Sequence, residues 1–252
     1  MFDKDGAELT VTDGEVTVTD PAQLANLDDF SVQPPANSDI NFNLTVTATS
    51  TEGAGGSASV QQTLNVTVNA IADDPSLTVQ AVSGDEDTAI DFTGLSASLN
   101  DTDGSETLSV TIAGIPGGAK VFDKDGTELT VTNGEVTVTD PAQLANLDDF
   151  SVQPPANSDA NFNLTVTATS TEGAGGSASV QQTLNVTVNA IADDPSLTVQ
   201  SEVVVGSEDT AIPLNISSAL SDTDDSETLS INIVGVPLGA TLSSGALNPN
   251  GS

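Results

Sequence analysis

Apolar and polar residues alternate along much of this chain. The clearest alternating runs are 108–112, 164–169, 184–189 and 229–233, in which Leu, Val, Ile or Ala at every second position is separated by Thr, Ser or Asn. A period of two predicts β-strands with one buried and one solvated face, and Val and Thr are residues that strands favour. The pattern therefore predicts antiparallel β-sheets.

Short turn signals separate these runs. Asn133-Gly134 lies between two apolar stretches and predicts a tight hairpin. Asp140 followed by Pro141 predicts one short helical turn, with Asp as the N-cap and Pro at the first helical position. The segment 123–126 resembles the start of an EF-hand loop, but it lacks the distal Glu and the flanking helices, so a plain hairpin turn is favoured. Frequent turns between short strands predict an all-β sandwich of about seven strands.

The chain also repeats itself. Residues 2–80 recur as residues 122–200, and residues 84–119 recur in weaker form as 206–240. The first pair differs at only three positions: Ala7/Thr127, Asp13/Asn133 and Ile40/Ala160. Near-identical copies are typical of arrays, which provide length or valency more often than chemistry.

Two proline-containing breaks divide the chain. Residues 71–75 and 191–195 share the sequence Ile-Ala-Asp-Asp-Pro, and Pro interrupts a strand ladder. We therefore predict one complete domain, the middle segment (74–193), preceded by the C-terminal part of a repeat, the head segment (1–73), and followed by the N-terminal part of another, the tail segment (194–252). Since the two incomplete parts are complementary, we expect the tail of one molecule to complete the head of the next.

The composition is strongly acidic. The chain has 37 Asp and Glu, three Lys, no Arg and no His, which gives a formal net charge of -34. Such a surface repels nucleic acid and anionic membranes, and it also repels itself unless cations screen it. Without Cys or His, oxygen ligands remain for a metal, and they favour Ca²⁺. No apolar run approaches the length of a membrane span.

Several motifs, in this order, carry a family resemblance. They are 84–90 (GDEDTAI), 101–108 (DTDGSETL), 114–119 (GIPGGA), 141–144 (PAQL), 154–157 (PPAN) and 164–169 (LTVTAT). The series resembles the tandem Ig-like repeats of giant bacterial RTX adhesins. These repeats are similar to cadherins in that Ca²⁺ stiffens the linkers between modules. The resemblance implies extended Ig-like modules at the bacterial cell surface. It implies that Ca²⁺ stiffens the linkers of a stalk that projects a distal adhesive domain for biofilm formation. The linker Asp73-Asp74-Pro75 differs from cadherin junctions, so no ligand set is transferred from them.

Carboxylates are expected to converge where two repeats meet. The linker from the preceding domain arrives at one end of an Ig-type sandwich. The loop after the second strand lies at that end, and so does the last hairpin, which begins here at Glu172. The predicted Ca²⁺ ligands at the first junction are Asp73, Asp74, Asp101, Asp103 and Glu106. Those at the second junction are Asp193, Asp194, Asp222, Asp224 and Glu227.

Two further acidic pairs, Glu86-Asp87 and Glu208-Asp209, are added to the candidate ligands. Each pair ends the first strand of its repeat, and two placements are open. The pair belongs either to the junction at the start of its own repeat or to the following junction.

We expect no enzymatic activity. Paired carboxylates occur, as glycosidases require, but they fall in solvent-facing turns without aromatic residues to line a sugar subsite. The alternative to a structural stalk is a Ca²⁺-dependent, lectin-like or self-associating adhesion module. Near-identity of the copies and the scarcity of aromatic residues favour the stalk.

Overall fold

The computed structural model describes residues 1–101, 103–173, 175–222 and 224–242. The fold is all-β, with two single-turn α-helices, α1 (Pro21–Leu24) and α2 (Pro141–Leu144), and two short 3-10 helices, Leu27–Asp29 and Leu147–Asp149. The strands are β1 (Phe42–Thr51), β2 (Ser57–Val66), β3 (Ser76–Thr78), β4 (Val82–Asp85), β5 (Ile90–Asp91), β6 (Ser96–Ser98), β7 (Glu106–Ala113), β8 (Lys120–Phe122), β9 (Glu135–Val138), β10 (Ser151–Gln153), β11 (Phe162–Glu172), β12 (Ser177–Asn189), β13 (Ser196–Val199) and β14 (Ile216–Ala219).

The middle segment contains the larger sheets. One has five strands in the order β4-β12-β11-β7-β9, and another has three in the order β5-β10-β8. A small β3-β6 pair completes this segment. The head contributes the antiparallel hairpin β1-β2 and the tail the antiparallel pair β13-β14. The all-β architecture confirms the predicted class and is consistent with a β-sandwich.

One strand pair departs from the expected antiparallel pattern. Strand β4 pairs with β12 in parallel, with Val82 opposite Val186 and Asp85 opposite Asn189. Because parallel strands run in the same direction, both end at the same edge of the sheet. The residues that follow β4 therefore lie beside the residues that follow β12, although about a hundred positions separate them in sequence.

The predicted alternation of buried and exposed residues is confirmed in β11 and β12. Leu164, Val166 and Leu184 have no exposed surface, and the intervening residues face outward or are half-buried. Phe92 and Phe150 are also fully buried and are the largest side chains of this core. Burying an aliphatic side chain contributes about 1.5–3 kcal/mol, so this face holds the segment together.

The predicted turns are confirmed as well. Helix α2 begins after Asp140, whose Oδ1 accepts a 2.7 Å hydrogen bond from the Ala142 N–H. Asn133 and Gly134 have φ of 54° and 79°, as a type I′ hairpin turn requires. Asp123 closes a tight turn in which its carbonyl accepts a hydrogen bond from the Gly126 N–H.

The strand expected at 229–233 does not form. Its counterpart in the middle segment is β7, which lies in the sheet between β9 and β11. Strand formation depends on such hydrogen-bonded neighbours as well as on the alternating pattern. No strand is formed at 229–233 among the described residues, although the alternating pattern is present there.

The chain divides into two compact units. One comprises 1–77, 97–110 and 167–181, and the other 78–96, 111–166 and 182–252. The three-part domain division therefore stays a prediction. Within the described residues no helix is long and apolar enough to cross a membrane.

Candidate metal centre at the acidic junctions

Glu86 reaches the second junction because of the parallel pairing of β4 with β12. Its backbone N–H donates a 3.0 Å hydrogen bond to the carbonyl of Asn189, the last residue of β12. Its side-chain Oε1 accepts a 2.6 Å hydrogen bond from the N–H of Ile191 in the linker. Of the two placements left open by the sequence, the structure favours the following junction for Glu86.

Glu86 meets two carboxylates of the tail segment. One carboxylate oxygen from each of Glu86, Asp222 and Asp224 lies within 4.8 Å of the others. Glu86 and Asp222 are each only 2% exposed, whereas Asp224 is exposed. We call these three residues the carboxylate triad. Three like charges at this separation repel one another strongly when two of them are shielded from water.

The loop that carries Asp222 and Asp224 is held by its own side chains. Asp222 Oδ1 accepts from the N–H of Asp224 at 2.9 Å, and Asp224 Oδ1 accepts from the N–H of Ser226 at 2.8 Å. The Ser226 hydroxyl donates to Asp222 Oδ2 at 2.8 Å. Hydrogen bonds from Ser226 are the main reason that the pKa of Asp224 lies below its usual value. The loop therefore presents Asp224 as an ionised carboxylate.

The linker carboxylate Asp193 lies next to the carboxylate triad. Its N–H donates a 2.5 Å hydrogen bond to Glu227 Oε1, and its Oδ2 accepts one from Asn157 Nδ2 at 3.1 Å. Burial raises the pKa of Asp193, and the negative charges of nearby carboxylates, Asp87 first, raise it further. A group in this position is stabilised by a proton or by a cation.

The pKa of Glu86 is also raised. The hydrogen bond from Ile191 acts in the opposite direction, but burial and the charges of Asp222, Asp87 and Asp224 outweigh it. Asp87 itself has a left-handed φ of 58°, and its Oδ1 accepts from the Asn157 N–H at 2.9 Å. The Glu86-Asp87 pair thus lies with the second junction.

The other acidic pair, Glu208-Asp209, is exposed and does not belong to the carboxylate triad. Asp209 shares the left-handed backbone of its counterpart Asp87, with φ of 61°. The role of Glu208 and Asp209 as ligands stays a prediction.

The first junction has the same local geometry. Asp101 Oδ1 accepts from the Asp103 N–H at 2.8 Å, and Asp103 Oδ1 accepts from the Ser105 N–H at 2.9 Å. The Asp73 N–H donates to Glu106 Oε1 at 2.7 Å, as Asp193 does to Glu227. Hydrogen bonds from Ser105, and one from the Asp39 N–H, lower the pKa of Asp103 to about 2.

Glu172 is a member of the first junction that was not among the predicted ligands. It is 4% exposed, its Oε1 accepts from the Ser105 hydroxyl at 3.1 Å, and it lines one cleft with Asp73 and Asp101. The neighbouring Ser170 hydroxyl donates a 2.5 Å hydrogen bond to the Asp73 carbonyl. Glu172 could have been recognised from the sequence. Every second residue of β11 from Leu164 onward faces inward, and Glu172 occupies one of these positions although it is charged.

Four glutamates among the described residues share an unusual property. Each has one carboxylate oxygen that is buried and has no hydrogen-bond partner, namely Oε2 of Glu86, Glu106, Glu172 and Glu227. A buried carboxylate oxygen without a partner costs free energy, and native proteins rarely tolerate one. All four lie at the two junctions, so a single cause, the binding of cations there, would account for them together.

The donor set fits a hard cation. Every candidate side chain offers oxygen, and Ca²⁺ takes six to eight oxygen ligands in flexible geometry. Asp74 and Asp194 are exposed, and their carbonyls instead accept hydrogen bonds from Asn100 and Ser221. Among the described residues no second triad as tight as that of Glu86, Asp222 and Asp224 is found at the first junction.

Comparison with family models and with curated proteins gives no match.

Proposed function

We propose that this chain is an extender region of a bacterial cell-surface adhesin, stiffened by Ca²⁺ at the junctions between repeats. Its proposed partners are Ca²⁺ ions and neighbouring repeats of the same protein. The protein would act outside the cell, where it carries a distal adhesive domain away from the surface for attachment and biofilm formation. The proposal assigns it no catalytic role.

The four unpartnered glutamate oxygens are the observation that supports this proposal most strongly. They lie in a chain of net charge -34 with only three Lys, so protein cations are too few to neutralise them. All three Lys are already paired with an acidic side chain, Lys4 with Asp5, Lys124 with Asp125 and Lys120 with Glu128. A bound metal ion remains as the source of positive charge that the junctions need.

Stiffening follows from which elements supply the ligands. Glu86 follows strand β4 and is tied to the linker through Ile191, whereas Asp222 and Asp224 belong to the tail segment. Bound Ca²⁺ would supply the positive charge that holds these groups together. Without it, the carboxylates repel and the linker at 190–195 is free to bend. With it, residues from two repeats share one ion and their relative angle is fixed.

The same binding would stabilise the fold. A ligand that binds only the folded state adds about 2.7 kcal/mol when its concentration is a hundred times its Kd. Extracellular Ca²⁺ sites in other modules have Kd values of about 10⁻⁴–10⁻³ M. Such affinities suit a stalk that is stiff outside the cell and flexible where Ca²⁺ is scarce.

Small-angle X-ray scattering in chelator and in Ca²⁺ tests the proposal. The maximum dimension should increase on Ca²⁺ addition, and replacing Asp193 and Asp194 by Ala should abolish the increase. Replacing Asp148 and Asp149, which form an exposed 3-10 turn, by Ala removes the same charge and is the matched control. Superimposable profiles of the unmutated protein with and without Ca²⁺ would contradict the proposal.

A further inference from the structure

A short loop between β10 and β11 lies against the second junction. It comprises residues 154–159, with the sequence Pro-Pro-Ala-Asn-Ser-Asp, and we call it the Asn157 loop. Pro154 is buried, and the φ of both prolines is fixed by their rings. Asn157 has a left-handed φ of 51°, which Asn adopts more readily than most residues. The loop is therefore anchored at one end and sharply turned at Asn157.

The Asn157 loop donates hydrogen bonds to three different carboxylates. The backbone N–H of Asn157 donates to Asp87 Oδ1 at 2.9 Å, and its side-chain Nδ2 donates to Asp193 Oδ2 at 3.1 Å. The backbone N–H of Asp159 donates to Asp224 Oδ2 at 3.4 Å. The three acceptors belong to the turn after β4, to the linker and to the tail segment. One loop thus contacts three candidate ligands that are far apart in sequence.

These donors oppose the repulsion within the junction. Burial, and then the charge of Asp87, raises the pKa of Asp193, so the two carboxylates disfavour each other in the ionised form. Asn157 donates to both of them. Hydrogen bonds from N–H groups to a carboxylate are charge-assisted and favour its ionised form. No Lys among the described residues forms an ion pair with a junction carboxylate, so these neutral donors are what the protein itself supplies.

The loop with the same sequence in the head, 34–39, makes one of these contacts at the first junction. The backbone N–H of Asp39 donates to Asp103 Oδ2 at 3.2 Å, the contact that Asp159 makes at the second junction. Asn37 also has a left-handed φ, of 54°, and its Nδ2 donates to the carbonyl of Asn100 at 3.1 Å. At both junctions this loop therefore contacts the acidic turn of the following segment.

We propose that the Asn157 loop is a positioning element for the cation site of the second junction. Asn157 holds the carboxylates of Asp87 and Asp193 in place before a cation arrives, and it acts through them rather than as a ligand. Among the described residues no hydrogen bond occupies Asp193 Oδ1, so this oxygen is available to an ion while Oδ2 is held. Groups that orient metal ligands typically contribute strongly to metal affinity. This inference rests on the proposed function, since it concerns the same Ca²⁺ site.

A glycine substitution in the full chain tests the role of Asn157. Asn157→Gly removes the side-chain donor and keeps a residue that adopts a left-handed φ without strain. Asn133→Gly is the matched control, because Asn133 also has a left-handed φ, of 54°, and its exposed side chain donates no hydrogen bond among the described residues. Both changes add the same freedom to the unfolded chain. Isothermal titration with Ca²⁺ after chelator treatment gives the Kd, and thermal unfolding is measured in chelator and in Ca²⁺.

The Asn157→Gly variant should bind Ca²⁺ at the second junction about tenfold more weakly than the unmutated protein. Its increase in Tm on Ca²⁺ addition should be smaller, because a weaker ligand stabilises the folded state less. A contact that only supports the fold would instead lower the Tm equally in chelator and in Ca²⁺. The Asn133→Gly variant should match the unmutated protein in Kd and in the Tm increase.

A double-mutant cycle with Glu86→Gln assigns the effect to one site. Because Glu86 and Asn157 act on the same ion, Asn157→Gly should raise the Kd by a smaller factor in the Glu86→Gln background than in the unmutated one. An unchanged Kd in Asn157→Gly, or the same factor in both backgrounds, would overturn the positioning role and leave the proposed function intact. An unmutated protein that binds no Ca²⁺ would contradict both.

Discussion

The Oε1 atom of Glu86 accepts a 2.6 Å hydrogen bond from the backbone N–H of Ile191, 105 positions later in the chain. Parallel pairing of β4 with β12 makes this contact possible, since both strands end at one edge of the sheet. The contact fixes a buried carboxylate against the linker, with its other oxygen unpartnered. A side chain near the start of the middle segment thus lies beside the linker to the tail segment.

Replacing Glu86 by Gln should weaken Ca²⁺ binding at the second junction. Gln keeps the shape and an acceptor for Ile191, but it removes the charge that binds the cation. We expect at least a tenfold increase in Kd, about 1.4 kcal/mol, measured by isothermal titration calorimetry after chelator treatment. Glu208→Gln is the matched control, because Glu208 is the exposed counterpart of Glu86 in the tail. Equal effects of the two substitutions would contradict the role assigned to Glu86.

The pH dependence of stability should differ with and without Ca²⁺. In chelator the pKa values of Glu86 and Asp193 are raised above 4.5 and 3.8, so the folded state binds protons more readily than the unfolded chain. Stability should therefore rise as the pH falls from 7 through these raised values. In Ca²⁺ the trend should reverse, since protons compete with the ion. Thermal unfolding at a series of pH values measures both trends.

At lower pH a second effect should dominate. The pKa of Asp103 is lowered to about 2 from 3.8, so its contribution to stability is present above 3.8 and is lost as the pH falls towards 2. The Asp103→Asn variant should lack this loss. A Tm of the unmutated protein that stays constant between pH 4 and pH 2 would contradict it.

Replacing Ser170 by Ala should destabilise the first junction without removing any charge. The Ser170 hydroxyl is fully buried and donates to the carbonyl of Asp73, which would lose this donor. The expected cost is about 1–3 kcal/mol in the free energy of unfolding, measured by denaturant titration. Ser50, the exposed counterpart of Ser170 in the head, should tolerate the same change within about 0.5 kcal/mol. A result in which Ser50→Ala costs as much as Ser170→Ala would show that burial at the junction is not the cause.

Replacing Gly84 by Ala should also destabilise the protein. A Cβ at this position would lie 2.7 Å from Cγ1 of Ile90, which is only 3% exposed and has little room to move. Overpacking of this kind costs about 1–3 kcal/mol. Gly117, where an added Cβ would meet no atom within 4 Å, is the control. Denaturant titration of both variants should separate them, and equal stability would contradict the close packing of Gly84 on Ile90.

The local features of the fold could be predicted from the sequence. The alternation of Leu164, Val166 and Ala168 placed β11 and its buried face, and Asp140-Pro141 placed helix α2. Both depend on neighbours along the chain. The strand predicted at 229–233 was wrong, because strand formation depends on pairing within a sheet as well as on local alternation.

The candidate site was only partly predictable for the same reason. The Asp101 and Asp222 loops were recognised from their residue types and repetition, and the structure gives both the same hydrogen-bonded turn. The placement of Glu86 required the parallel pairing of two strands that no local pattern specifies. Glu172 could have been found because it is a charged residue at an inward-facing position of β11, and charged residues on the core face of a strand are exceptional.

Anomalous diffraction from crystals of the Ca²⁺-saturated protein would locate an ion bound by the carboxylate triad. We expect a calcium peak among Glu86, Asp222 and Asp224, with carboxylate oxygens at about 2.3–2.6 Å. The otherwise unpartnered Oε2 of Glu86 should be among the ligands. Crystals grown in excess Ca²⁺ that show no peak between these three carboxylates would contradict it.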